Sequence, residues 1–168
     1  MSWRRAARRP IPACVAAALA AGAVACSAGP VRVDRPRPAP QAAAACANLH
    51  AALPDELDGL HRRSTDPDSP LTAAWGDPAI IMRCGVGMPA AYRPTSQLYT
   101  INGVDWLPEQ LTNGYVFTTM GRATGVELTV PHQHAPEINP VADMSLIVKD
   151  RVPVAPSASP SAAPTPTR

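Results

Sequence analysis

The 168-residue chain lacks the short signatures by which common catalysts announce themselves. It has no Gly-x-Ser-x-Gly elbow and no Ser-x-x-Lys pair, which removes the familiar serine-nucleophile arrangements. It has no Gly-x-x-x-x-Gly-Lys and no Gly-x-Gly-x-x-Gly; Gly85-Val86-Gly87 lacks the rest of a phosphate-cradling loop. No cofactor is therefore expected. No Cys-x-x-Cys occurs, so a thioredoxin-like redox couple is disfavoured. Aromatic residues are few, at three Trp, three Tyr and one Phe. Basic stripes are missing too. Without residues 1–25 the chain carries eleven basic against thirteen acidic side chains. Residues 41–151 carry seven against twelve. Nucleic acid binding requires cations to neutralise phosphates, so that class is excluded, and so is a polybasic membrane patch.

What is present is concentrated at the start. Arg4, Arg5, Arg8 and Arg9 precede an apolar run from Ile11 to Ala25, which ends Ala23-Val24-Ala25-Cys26-Ser27. A charged leader, a short apolar stretch and small residues before a cut site make an export signal. A cysteine in that place resembles the bacterial lipoprotein signal, in which the thiol receives a diacylglycerol. Lipidation at Cys26 is the leading expectation. Each buried methylene of the acyl chains contributes about 0.8 kcal/mol to membrane attachment. Secretion is the alternative, because Ala23-Val24-Ala25 also fits an ordinary signal-peptidase site. An uncleaved span fits less well: fifteen helical residues cover about 22 Å, short of the roughly 30 Å hydrocarbon core.

Four parts are expected: a signal at 1–25, a disordered tether at 26–40, a folded domain at 41–151 and a disordered tail at 152–168. The tether carries five Pro or Gly residues among charges, and the tail is rich in Pro, Ala, Ser and Thr. Of the four cysteines, Cys14 leaves with the signal and Cys26 is the lipid site. That leaves Cys46 and Cys84, a pair that oxidises outside the cytoplasm.

Within the domain, Cys46, Leu49 and Leu53 recur at helical spacing and predict a helix over 42–52. Pro54, then Asp55-Glu56 and Arg62-Arg63 at opposite ends, predict a second helix over 54–62. Residues 64–70 read as a loop. Alternation over 79–84 puts Ile80, Met82 and Cys84 on one face of a strand. The disulfide would therefore join the first helix to the sheet. Tyr99-Thr100-Ile101 and Val104-Asp105-Trp106 flank Asn102-Gly103, the signal for a tight hairpin. Strands at 115–120 and 125–130 follow across Gly121. Asn139-Pro140 then starts a helix with Val141, Met144 and Val148 as its stripe. The expected fold is α+β, a small antiparallel sheet of about five strands with N- and C-terminal helices on one face and one disulfide.

Several separated words resemble a known family: Ala73-Ala74-Trp75-Gly76-Asp77-Pro78-Ala79-Ile80, Arg83-Cys84-Gly85-Val86, Asn102-Gly103-Val104-Asp105-Trp106 and Val141-Ala142-Asp143. They are similar to an actinobacterial envelope family catalogued as domain of unknown function 3515. The likeness covers most of 41–150. It implies a membrane-associated or secreted protein and carries over no catalytic residues.

Three chemistries compete for the function. The leading one is a noncatalytic module that binds an envelope protein or cell-wall glycan, with Trp75, Arg83, Asp105 and Trp106 as a candidate binding surface. The second is an enzyme of envelope metabolism; Asp105 and Glu109 beside Trp106 would suit carbohydrate. The third is extracytoplasmic metal binding. His132-Gln133-His134, extended, would present two imidazoles on one side, with Glu137 as a further ligand. Each has a structural counterpart: tryptophans fill cores, carboxylates follow turns, and histidines decorate loops between prolines.

Overall fold

The structure, a computed structural model, describes residues 29–156. The signal, Cys26 and residues 157–168 lie outside the described residues. In chain order the elements are β1 (Val31–Arg32), α1 (Pro40–His50), β2 (Glu56–Leu57), β3 (Leu60–Arg63), β4 (Thr65–Asp66), β5 (Thr72–Trp75) and β6 (Ile80–Val86). There follow β7 (Tyr99–Ile101), β8 (Val104–Leu111), β9 (Gly114–Met120), β10 (Gly125–Pro131), a 3-10 turn (His132–His134) and α2 (Ile138–Arg151).

Eight strands form one sheet in the order β2-β3-β5-β6-β10-β9-β8-β7, every neighbouring pair antiparallel. The α+β class stands, but the sheet has eight strands rather than about five. The three extra strands have identifiable causes. The segment expected as a helix over 54–62 is instead the β2–β3 hairpin. Its Asp58 and Gly59 both take positive φ, 50° and 73°. That is the backbone a two-residue hairpin turn needs, and Asp-Gly supplies it at little cost. The turn chemistry overrides the charge pattern that favoured a helix. The third strand, β5, is Thr-Ala-Ala-Trp, too short and too uniformly buried to show alternation.

Both helices lie on one face, as the register shows. Cys84 pairs with Val126, and Trp106 with Thr119. The Val126 amide donates to the Thr119 hydroxyl, placing those two opposite each other across β10 and β9. Paired residues share a face. Cys84 bonds Cys46 of α1, and Trp106 bonds Ser145 of α2. The core lies between: Trp75, Ile80, Met82, Leu128 and Val130 from the sheet, Leu49 from α1, and Val141, Met144 and Val148 from α2. The last three are the stripe the sequence predicts.

The opposite face carries a strap. Residues 31–38, part of the stretch expected as a disordered tether, lie against the domain. β1 runs parallel to β4, and the Val33 amide donates to the Asp66 carbonyl. Val33 and Pro36 are buried. Arg83 donates from Nε to the Asp34 carbonyl at 3.1 Å. Gly85, at φ 95°, lets Pro38 pack close; a Cβ there would sit 2.6 Å from Pro38 Cγ. The start of the expected tail is docked too. Val152 is buried, Val154 bridges to Arg122, and the Ala155 amide donates to the Gly121 carbonyl.

Candidate functional site

The four residues expected to form one binding surface do not. Trp75 and Trp106 are both 0% exposed. Trp75 sits under the Arg62 guanidinium, 5.7 Å from the ring centroid, and donates from Nε1 to the Pro54 carbonyl at 3.1 Å. Trp106 donates from Nε1 to Ser145 Oγ at 2.8 Å, and that hydroxyl donates to the Val141 carbonyl at 2.6 Å. A buried indole needs a partner for its N–H, and each tryptophan has one. Their role is to fill the core. Arg83 and Asp105 have different work again. Arg83 pairs with Glu127 at 3.0 Å while it holds the strap. Asp105 is exposed and accepts a hydrogen bond from Thr100 Oγ1 at 2.6 Å across the β7–β8 hairpin. No tryptophan platform stands beside Asp105 and Glu109, so the sugar-handling group expected there is not assembled.

The histidine pair is likewise divided. His132 donates from Nδ1 to Glu137 and meets Tyr115 edge-on at 5.7 Å. His134 donates from Nε2 to the Pro78 carbonyl at 2.6 Å. The intervening backbone is a 3-10 turn rather than the extended segment that would align both rings. Among the described residues, no group of three or more His, Cys, Asp or Glu side chains is arranged to hold a metal ion. The hydrogen bond from His132 holds the Glu137 carboxyl below the usual carboxylate range.

Among the hollows of the described residues, two bear on binding, and sequence reasoning did not find either. The larger, about 440 Å³, lies where the strap enters α1. Arg37 and Pro38 of the strap, Gly85 near the end of β6 and Met88 just after it, and Thr119 and Arg122 around the β9–β10 turn form its wall. Met88 is 67% exposed at its mouth. Arg122 braces the wall by donating to the Val152 and Gly103 carbonyls at 3.1 and 2.7 Å. The smaller hollow, about 190 Å³, is mainly apolar and lies between Tyr99, Pro108, Tyr115, Phe117 and Ile138. Four of its residues come from β7, β8 and β9 and Ile138 comes from the start of α2, so only the strand order and the docking of α2 bring them together. No local sequence signal marks either place.

A family model described as "Protein of unknown function (DUF3515)" matches residues 8–157. The chain belongs to that family. No curated protein and no solved structure matches it. The family words map onto the framework of this DUF3515 domain. Ala73–Ile80 spans β5, its turn and the start of β6; Arg83–Val86 carries the disulfide and the strap contact. Asn102–Trp106 is the hairpin and the core tryptophan. They define a scaffold and leave the chemistry open.

One titratable group is tied to stability. Arg62 Nη2 donates to His50 Nε2 at 2.8 Å, which requires a neutral imidazole. Burial first, then the Arg62 charge, pushes His50 below its ordinary value, with Asp68 opposing. Below about pH 6.5 the unfolded chain then binds a proton more readily than the native one. His50 therefore contributes stability that is present above that pH and lost as pH falls through the lowered folded value. Melting curves between pH 7.5 and 5 should show this loss, and His50→Gln should make the pH dependence shallower. An unchanged slope in the variant removes His50 as the source.

Proposed function

We propose that this protein is an exported, lipid-anchored envelope protein that acts as a noncatalytic binding or assembly module for an envelope protein or a cell-wall glycan. The observation that carries export is the Cys46–Cys84 bond, fully buried between α1 and β6. Thiols are kept reduced in the cytosol and oxidise outside it. The bond thus agrees with the arginine-rich leader and its small-residue cut site. Among the described residues no helix is long and apolar enough to cross a membrane. Attachment is assigned to acyl chains at Cys26, on the strength of the leader and its small-residue cut site, and the actinobacterial envelope character is taken from the family resemblance.

Binding rather than catalysis is supported by how the charged groups are spent. Arg83, Glu127, Arg122, Asp105, His132 and His134 each hold a strand, a turn or the strap. The larger hollow offers shape, an exposed thioether and the Arg37 cation, which suit docking of a chain or a sugar. Fractionation tests the anchor. Cys26→Ala should move the protein from the membrane to the soluble fraction, or leave it at the membrane with a larger apparent size where the uncleaved apolar leader holds it there. A membrane fraction unchanged in amount and size rejects lipid attachment at Cys26. Proximity crosslinking in cells from position 88 should then recover a discrete envelope protein or glycan fragment; recovery of none removes that hollow as the binding place.

A further inference from the structure

The strap makes the leash short. Only Ser27 and Ala28 separate Cys26 from Gly29. Three residue steps reach about 10 Å at full extension. Gly29 is already fastened, because its carbonyl accepts a hydrogen bond from Arg63 Nη2 at 2.6 Å. The neighbouring Val31 amide donates to the Ser64 carbonyl. The polar layer of a leaflet is itself about 5–7 Å deep. A cysteine anchored there by acyl chains therefore leaves almost no slack between lipid and domain.

The point of attachment also selects an end of the molecule. Arg63 Nη1 donates to the Gly76 carbonyl at 3.0 Å and lies 3.5 Å from Asp77, so Gly29 sits beside the β5–β6 turn. His134 holds that same turn through Pro78. The His132 amide donates to the Asn113 carbonyl, which brings the β8–β9 turn alongside. Leu111, next to that turn, is 39% exposed. Two turns, the 3-10 segment and the strap entry thus share one end. From there the strap runs the length of β6 to Pro38 at Gly85. Seven strand residues span about 22 Å. The larger hollow, with Met88 at its mouth, lies at that far end.

We propose that the docked strap holds the domain directly against phospholipid headgroups by the end bearing Gly76–Pro78 and His132–His134. The larger hollow then faces away from the bilayer, toward the wall. This rests on the reading of Cys26 as the lipid site. It replaces a freely tumbling domain with one of fixed height and orientation, and it accounts for a binding hollow at the end opposite the anchor. A Gly/Ser-like tether of the same length would impose neither.

The test uses the full chain, processed in cells and reconstituted in vesicles of phosphatidylethanolamine and phosphatidylglycerol. A benzophenone amino acid replaces Asp77 in one preparation and Met88 in another; both side chains are well exposed. After illumination, lipid adducts at position 77 should exceed those at position 88 by at least five-fold. Fifteen Gly/Ser residues inserted between Ala28 and Gly29 add a reach of roughly 20 Å. The insertion should cut labelling at position 77 several-fold while membrane association stays intact. Equal labelling at both positions, or no change on insertion, overturns the orientation. Mass spectrometry of the mature amino terminus separates the two ideas. An acylated Cys26 with equal labelling sinks the orientation alone, and an unmodified amino terminus sinks the anchor and the orientation together.

Discussion

Cys46→Ser should lower stability by about 4 kcal/mol. The disulfide closes a loop with a sequence separation of 38 residues. In the chain-entropy view, that cross-link removes about 4 kcal/mol of freedom from the unfolded chain. The site allows little relief on mutation, since both cysteines are fully buried and their Cα atoms are 5.6 Å apart. For a domain of this size the loss corresponds to a fall in Tm of about 15 °C. Cys46→Ser/Cys84→Ser should behave like the single variant, and reductant should reproduce both in the wild type. Calorimetry with and without reductant checks this. A wild-type Tm unmoved by reductant, in a sample shown by thiol labelling to be fully reduced, would contradict a stabilising bond.

Trp106→Ala should cost about 3–5 kcal/mol, because it removes a large side chain from a packed core and leaves a cavity. Trp106 is completely buried on β8 and ties the sheet to α2 through Ser145. Two milder variants separate packing from hydrogen bonding. Trp106→Phe keeps most of the ring and loses the N–H. Ser145→Ala keeps the ring and strands its N–H away from water, at a cost of about 1–3 kcal/mol. Denaturant melts should rank them Trp106→Ala as worst, with the other two well below it. A neutral Ser145→Ala would show that the indole N–H finds another partner. The same experiment bears on function: a tryptophan that recognised a ligand would lose binding before stability, whereas here stability is expected to fall first.

Much of the framework was legible because it is written locally. Asn102-Gly103 takes φ of 51° and 81° and forms the predicted hairpin. Alternation placed Cys84 on the buried face of β6, and helical spacing placed Cys46 on the buried face of α1. Together those periodicities anticipated the disulfide. The α2 stripe was equally plain. The β2–β3 hairpin carries two conflicting local signals: its flanking charges imitate a helix dipole pattern, while Asp58-Gly59 favours the turn that forms. The site fared worse. Trp75 and Trp106 read as surface contacts because their residue type suits either a core or a ligand, and only burial distinguishes the two.

The sequence by itself determined the elements whose information lies within a few residues: the two helices, the tight hairpin, the strands that alternate and the facing of both cysteines. Tertiary structure alone decided how the hairpins join into one sheet, that residues 31–38 pack along it, and where the hollows open. The reason is physical. A period reports that one face is buried, but not what covers it. β1 meets β4 across more than thirty intervening residues, and such a pairing is chosen by the free energy of the whole packed domain.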